Sequence, residues 1–363
     1  MSLAKVSAVV GCGIVLGGAI YLSSTKEGGS ISLKNNVVIK GVITSEKENF
    51  FKDERVQKIF ADNHFDVQVT RMSSGQIAEA KTLQDVQNAD FIFPSGIQTS
   101  EKVKSNFKNS QTYNIFYSPM VIATWTPIVD ILKQNNLVKK TSQYEALDLS
   151  QFMKLAENGT RWKDLKGSSD YSVNKVVLIS STDSRFSNAA KMYVALNSYI
   201  INDGNMVSTS QDVDKVMPTL KKIIQSQGNR ESSSTNIMSD YMSIGRGKVP
   251  MMFAYESEFL ENAFKNNGLK KEMTLLYPTP TIFTKHVMVI TDPKAQPLVD
   301  LFKTNQELKK IASEYGFRFE GESGIVAKAK SINVSIPDTL VDVIDPPSYD
   351  ILDEMAKKVE DKN

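Results

Sequence analysis

The chain has 363 residues, 41% hydrophobic and 23% charged, which supplies apolar material for about two domains with real cores. Its 43 Lys and Arg face 41 Asp and Glu, a net charge of +2, and this excludes a protein whose affinity rests on a basic field wrapped around nucleic acid. One cysteine, Cys12, and two histidines, His64 and His286, exclude a Cys/His zinc site, a Cys-X-X-Cys redox motif and a disulfide scaffold.

Lys5 and Lys26 bracket an uncharged run, Val6 to Thr25, rich in Val, Ile, Leu, Ala and Gly. It is long enough to cross a bilayer as a helix and shows no polar face. Three readings stay open: a membrane anchor, a signal peptide cleaved near Leu22-Ser23-Ser24, or a lipoprotein box at Val9-Val10-Gly11-Cys12. All three place the rest of the chain on the extracytoplasmic side, membrane-anchored or secreted. Residues 26–36 then read as a polar, Gly- and Ser-containing linker.

Val37 to Ile43 is a β-branched apolar run and predicts a buried strand. Glu46 to Phe60 carries apolar residues at helical spacing, with Ser45 and Glu48 in capping-box register. Phe65 to Thr70 alternates as a second strand, Gln76 to Ala80 is a helix, and Asp90 to Phe93 is a third strand. This β-α-β-α-β order argues for a mostly parallel sheet flanked by helices. Ile115 to Thr124 is a long apolar stretch interrupted by Pro119, read as two short strands or a crossover. Pro127 to Leu137 predicts a helix, Val173 to Ser180 a strand, and Ser187 to Ile201 an amphipathic helix. Lys248 to Tyr255 predicts a strand, Glu258 to Phe264 a helix and Met273 to Leu276 another strand. Thr281 to Ile290 is an extended segment that returns to the first domain. Gln296 to Tyr315 is helical and ends at Gly316, and Ile351 to Val359 reads as an acidic-basic surface helix.

Several strands end in small hydroxyl residues that open a helix: Thr44-Ser45, Ser73-Ser74-Gly75, Pro94-Ser95-Gly96, Ser180-Ser181-Thr182 and Tyr255-Glu256-Ser257. Any one of these could be simple helix capping. Together they mark the carboxyl ends of strands, where open α/β sheets bind ligands and helix N-termini offer oriented N–H donors. Arg185 follows one such turn and is a candidate partner for an anion; Glu256 could hold a ligand amine or hydroxyl, or cap its helix. Trp125 and Trp162 read as core residues, His64 as a helix C-terminal cap, and His286 as a half-buried, satisfied residue. No nucleophile–base arrangement, P-loop or G-x-G-x-x-G motif is present, so no catalytic residue, cofactor or metal ligand is assigned.

Five segments in this order carry a family resemblance: Gly41–Phe51, Ile179–Asn188 with its following helix, Gly247–Ser257, Tyr277–Thr281, and the helix ending at Tyr315–Arg318. The chain resembles bacterial extracytoplasmic solute-binding proteins of ABC importers, with the type II periplasmic-binding-protein fold, closest in flavour to the sulfate/molybdate/phosphate branch. The resemblance spans residues 37–320. It implies two α/β lobes, each a mixed, mostly parallel sheet flanked by helices, with lobe 1 at 37–119 plus 283–320 and lobe 2 at 120–282. Residues 321–363 form a C-terminal extension outside it. It further implies that a small polar solute, an anion, is trapped between the lobes and passed to an ABC permease by a monomer. The ligand-binding residues implied are Ser45, Ser74 and Ser95 from lobe 1, and Thr182, Arg185, Ser187, Tyr255 and Glu256 from lobe 2. Two positions depart from the family pattern, Ser184 and Asn188, and Glu256 is an unusual neighbour for an oxyanion. The alternative is a sensor or adaptor of the same fold that binds a cell-surface partner.

Overall fold

The structure, a computed structural model, describes residues 36–266, 269–320 and 324–361. The expected anchor or signal over 1–25, the linker up to residue 35 and Cys12 lie outside the described residues. The chain runs through β1 (Val37–Ile43), α1 (Glu48–Lys52), α2 (Glu54–Asp62), β2 (Phe65–Arg71), α3 (Ser74–Glu79), β3 (Phe91–Phe93) and α4 (Ile97–Asn106). Next come β4 (Gln111–Trp125), α5 (Thr126–Gln134), β5 (Val138–Lys140), β6 (Glu145–Asp148), α6 (Leu149–Glu157), α7 (Asn188–Ile201), α8 (Ser210–Gln225) and α9 (Ser234–Ser243). The last part holds β7 (Met251–Tyr255), α10 (Glu256–Lys265), β8 (Met273–Thr279), β9 (Phe283–Ile290), α11 (Gln296–Thr304), α12 (Gln306–Glu314), α13 (Gly324–Ser331) and α14 (Tyr349–Glu360).

The strands order as β2-β1-β3-β9-β4-β8-β6-β5, with β7 also paired to β4. β1 runs parallel to β2 and β3, as the β-α-β-α-β pattern requires, while β9 returns antiparallel between β3 and β4. β4 is one strand of 15 residues, with Pro119 inside it. Residues up to Pro119 pair with β9, and Met120 onward pairs with β7 and β8. The proline is tolerated because it sits where the strand changes partners, so no continuous ladder loses a donor there. The segment between β8 and β9 crosses at the same level: the Met120 N–H donates to the Ile282 carbonyl at 2.9 Å, and the Thr281 hydroxyl donates to the Met120 carbonyl at 3.3 Å.

Each half has its own core. In one, Phe50, Phe51, Phe93, Phe116 and Phe302 interlock with centroid separations of 5.4–6.4 Å. In the other, Trp125, Trp162, Tyr193 and Tyr241 are buried with the aliphatic residues of β4, β7 and α8, as expected for both tryptophans.

Several local expectations change. Ser45 does not cap the first helix; residues Ser45–Lys47 form a 3-10 turn, and Asp53 caps α2 through the Arg55 N–H. Val173 to Ser180 is not a strand: only isolated bridges form, Val176 to Arg161 and Ser180 to Met252. An apolar run without a partner row cannot satisfy its backbone as a ladder. The helix expected over 296–315 breaks at Asn305, whose side chain accepts the Leu308 N–H and starts α12. α14 is no surface helix, because Leu352, Met355, Ala356 and Val359 are fully buried against α7 and α8. His64 ends α2 with φ 65°, the left-handed backbone of a C-terminal cap.

Candidate ligand-binding site

The carboxyl ends of β1, β2, β3 and β7 and the N-termini of α7 and α9 surround a cavity of about 410 Å³. Thr44, Ser45 and Glu46 enter it after β1, Ser73 and Ser74 after β2, and Ser95 after β3. The opposite wall holds Ser187 and Asn188 at the start of α7, Ser232 to Ser234 at the start of α9, and Tyr255 at the end of β7. The hydroxyls are there for a local reason. Ser73 accepts the Gln76 N–H in a capping box, and Ser187 accepts the Ala190 N–H at 3.5 Å as the cap of α7. Ser233, the residue before α9, makes no such bond; its Oγ lies 3.5 Å from Ser45 Oγ across the cavity. The ends of α7 and α9 thus present positive dipole and N–H donors to one space.

Beneath the wall lies a buried charged cluster. Glu46 Oε1 accepts from the hydroxyls of Thr44 at 2.6 Å and Ser95 at 2.9 Å, and from the Lys47 ammonium. Lys47 also donates to Thr44 Oγ1 at 3.0 Å and to the Pro94 carbonyl at 3.2 Å. Burial opposes ionisation of Glu46, but the adjacent Lys47 charge and the His286 contact hold its carboxyl well below the usual range. Burial in turn lowers the Lys47 pKa, with the Glu46 charge opposing. His286 is fully buried, with Nδ1 3.6 Å from Glu46 Oε1 and no hydrogen bond on either nitrogen. The expectation of a satisfied, half-buried histidine is therefore corrected. Burial and the Lys47 charge push its pKa down to about 4, against the pull of Glu46.

A second cavity, of about 380 Å³, adjoins the first and shares Ser45 and Glu46 with it. Asn49 closes it from one side; Glu258, Glu261 and Lys265 of α10 close it from the other. Asn49 Nδ2 donates to Glu261 Oε1 at 2.7 Å, and Lys265 donates to the same oxygen at 2.5 Å. The two walls touch elsewhere as well. A Cβ added at Gly75 would lie 2.4 Å from the Arg185 carbonyl oxygen, so only glycine lets the two segments meet this closely.

Solved structures share this fold. The sulfate-binding protein SubI from Mycobacterium tuberculosis H37Rv matches with a TM-score of 0.50 at 12% identity, over 87% of this chain and 96% of that one. Iron-bound HitA from Pseudomonas aeruginosa matches with a TM-score of 0.56 at 12% identity, over 89% and 97%. The substrate binding protein of the ABC transporter from Agrobacterium tumefaciens matches with a TM-score of 0.55 at 11% identity, over 90% and 94%. The chain has the two-lobed type II periplasmic-binding-protein fold. Neither a family model nor a curated protein sequence matches it.

Within this type II fold, the structure brings five of the eight sequence-derived residues to the first cavity: Ser45, Ser74, Ser95, Ser187 and Tyr255. The other three lie elsewhere. Glu256 is fully buried, its carboxylate gripped by Arg318 Nε at 2.6 Å and Nη2 at 2.9 Å and by the Tyr277 hydroxyl. Arg185 turns back on Asp183, with Nη2 to Oδ2 at 2.6 Å and Nε to Oδ1 at 3.1 Å. Thr182 is buried with its hydroxyl unpartnered and does not line the cavity. Sequence reasoning missed Glu46, Ser232, Ser233, Ser234 and Glu258. The run Ser232-Ser233-Ser234-Thr235 ahead of an amphipathic stretch was a usable signal for α9; nothing local distinguished Glu258 from the acids beside it. Among the described residues, no group of three or more His, Cys, Asp or Glu side chains is placed to hold a metal ion, and no helix is long and apolar enough to cross a membrane.

Proposed function

We propose that this chain is an extracytoplasmic binding protein that traps a small polar solute between its lobes and hands it to a membrane permease. The observation that carries the reading is the cavity of about 410 Å³ whose two walls come from opposite sides of the crossover strands. A solute held by both walls favours the closed state through its differential affinity for it. The hydroxyls of Ser45, Ser74, Ser95 and Ser187 and the N-termini of α7 and α9 suit an anionic group. The lobes divide at 37–119 plus 283–320 and 120–282, and the monomer works by binding rather than by catalysis. The run Val6 to Thr25 either tethers it to the membrane or exports it.

A melting-temperature panel of inorganic anions, amino acids, sugars and metal ions tests this reading. A ligand at 100 times its Kd adds about 2.7 kcal/mol to stability, which moves the midpoint by several degrees. A panel in which no compound raises the midpoint overturns the solute-binding reading.

A further inference from the structure

The second cavity contains a carboxyl group that the protein leaves incomplete. Three acids surround the space. Glu46 Oε1 is taken up by Thr44, Ser95 and Lys47, and Glu261 Oε1 by Asn49 and Lys265. Glu258 differs. It is 5% exposed, its Oε1 accepts from the Ser234 hydroxyl at 2.5 Å, and its Oε2 is buried and completes no hydrogen bond, the Tyr255 backbone at the start of α10 being the polar group that acts on the carboxyl from its own helix. A buried polar atom without a partner is costly and calls for a reason. Glu258 lines the second cavity, and its partner Ser234 lines the first.

We propose that Glu258 receives a primary ammonium group of the solute, so that the trapped solute is dipolar: its anionic end lies on the hydroxyls and helix N-termini of the first cavity, and its ammonium end on Glu258 Oε2 in the second. The inference rests on the solute-binding reading above and adds the class of solute. An ammonium supplies the missing donor and a charge to pair with the Glu258 carboxylate; a neutral hydroxyl would supply only the donor. The protonation behaviour agrees with it. Burial, with the charges of Glu46 and Glu261, pushes the Glu258 carboxyl up to about 8 against the pull of the Ser234 hydroxyl and the Tyr255 backbone N–H. Near neutral pH the unliganded carboxyl therefore keeps its proton, and an arriving ammonium displaces that proton to solvent, leaving an N–H···O⁻ bond. The charged groups facing this site are Glu46 from the turn after β1, Glu261 and Lys265 from α10, and Lys270 at the rim.

Titration calorimetry on the full chain tests the proposal with glycine, β-alanine, 4-aminobutyrate and L-lysine, each against its deaminated acid: acetate, propionate, butyrate and hexanoate. At least one amino compound is expected to bind tenfold or more tighter than its deaminated partner. Glu258→Gln, which keeps the shape and is checked for fold by circular dichroism, is expected to erase that difference. A readout independent of the variant is proton release by the wild type at pH 7, seen as a dependence of the binding heat on the buffer's ionisation enthalpy. Equal binding by the wild type and Glu258→Gln, or binding without proton release, overturns the subsite. If only deaminated acids bind, or if the melting panel finds a solute without an amine, the subsite falls and the solute-binding reading stands. If nothing binds in either experiment, both fall.

Discussion

At the scale of single residues, His286 is the group whose burial has the clearest consequence. Its ordinary pKa is about 6.5 and its folded value is about 4. As pH falls through 6.5 the unfolded chain takes up a proton that the folded chain refuses, so stability is lost progressively between pH 6.5 and 4. At about 1.4 kcal/mol per pKa unit, the loss reaches roughly 3 kcal/mol at the lower end. Denaturant unfolding of the wild type and of His286→Phe, which keeps a ring beside Phe317 but cannot titrate, should differ in slope across this window, the wild type losing stability relative to the variant as pH falls. Identical slopes in the two proteins would show that His286 does not carry the effect. Glu258 works in the opposite sense: its raised pKa contributes stability below about 4.5 that is lost as pH rises towards 8.

At the scale of elements, α14 is the piece that local sequence describes in part. Its apolar positions 352, 355, 356 and 359 fall on one helical stripe, which is legible, but the surface that the stripe covers is not. In the fold the stripe lies on α7 and α8. Lys191 Nζ reaches Asp353 Oδ1 at 3.1 Å and the Tyr349 hydroxyl at 3.2 Å, and Lys102 of α4 reaches Asp350 Oδ1 at 2.7 Å. The helix therefore ties the segment after residue 320 to both walls of the molecule. Leu352→Ala should cost about 2–5 kcal/mol, the usual range for a buried leucine, measured by chemical denaturation. A loss below about 1 kcal/mol would mean that the site collapses around the missing atoms or that the helix docks only loosely.

At the scale of the whole molecule, closure depends on how near the two walls can come. Gly75 and the Arg185 carbonyl face each other with no room for a methyl group, and Asn49 and Glu261 are hydrogen-bonded across the second cavity. Neither side of the Gly75 contact is a flexible side-chain end, so an added Cβ is relieved by parting the walls. Gly75→Ala should raise the radius of gyration in small-angle scattering with solute present and weaken solute binding at least tenfold, with the circular dichroism spectrum unchanged. An unaltered radius together with unaltered affinity would show that closure does not pass through this contact.

The sequence by itself determined the alternation of strand and helix through β3 and the return of β9. It also placed the hydroxyl-bearing turns at strand ends. These features are written in residues two to four positions apart, whose side chains share one face of a strand or helix. Ser45, Ser74, Ser95, Ser187 and Tyr255 came forward as a set through the family resemblance, not through local spacing. Only the tertiary structure decided that Val173 to Ser180 has no ladder, that Pro119 sits inside a single long strand, and that α14 is a core helix. The same holds for Arg185, which is occupied by Asp183, for Glu256, which is occupied by Arg318, and for Glu258, which is left with an open oxygen. The physical reason is common to all of them but Arg185, whose partner Asp183 stands only two residues away and was within reach of a local reading. Whether a polar or apolar group is satisfied depends on partners that arrive from distant parts of the chain, 62 residues away for Glu256 and Arg318, and no local pattern carries that information.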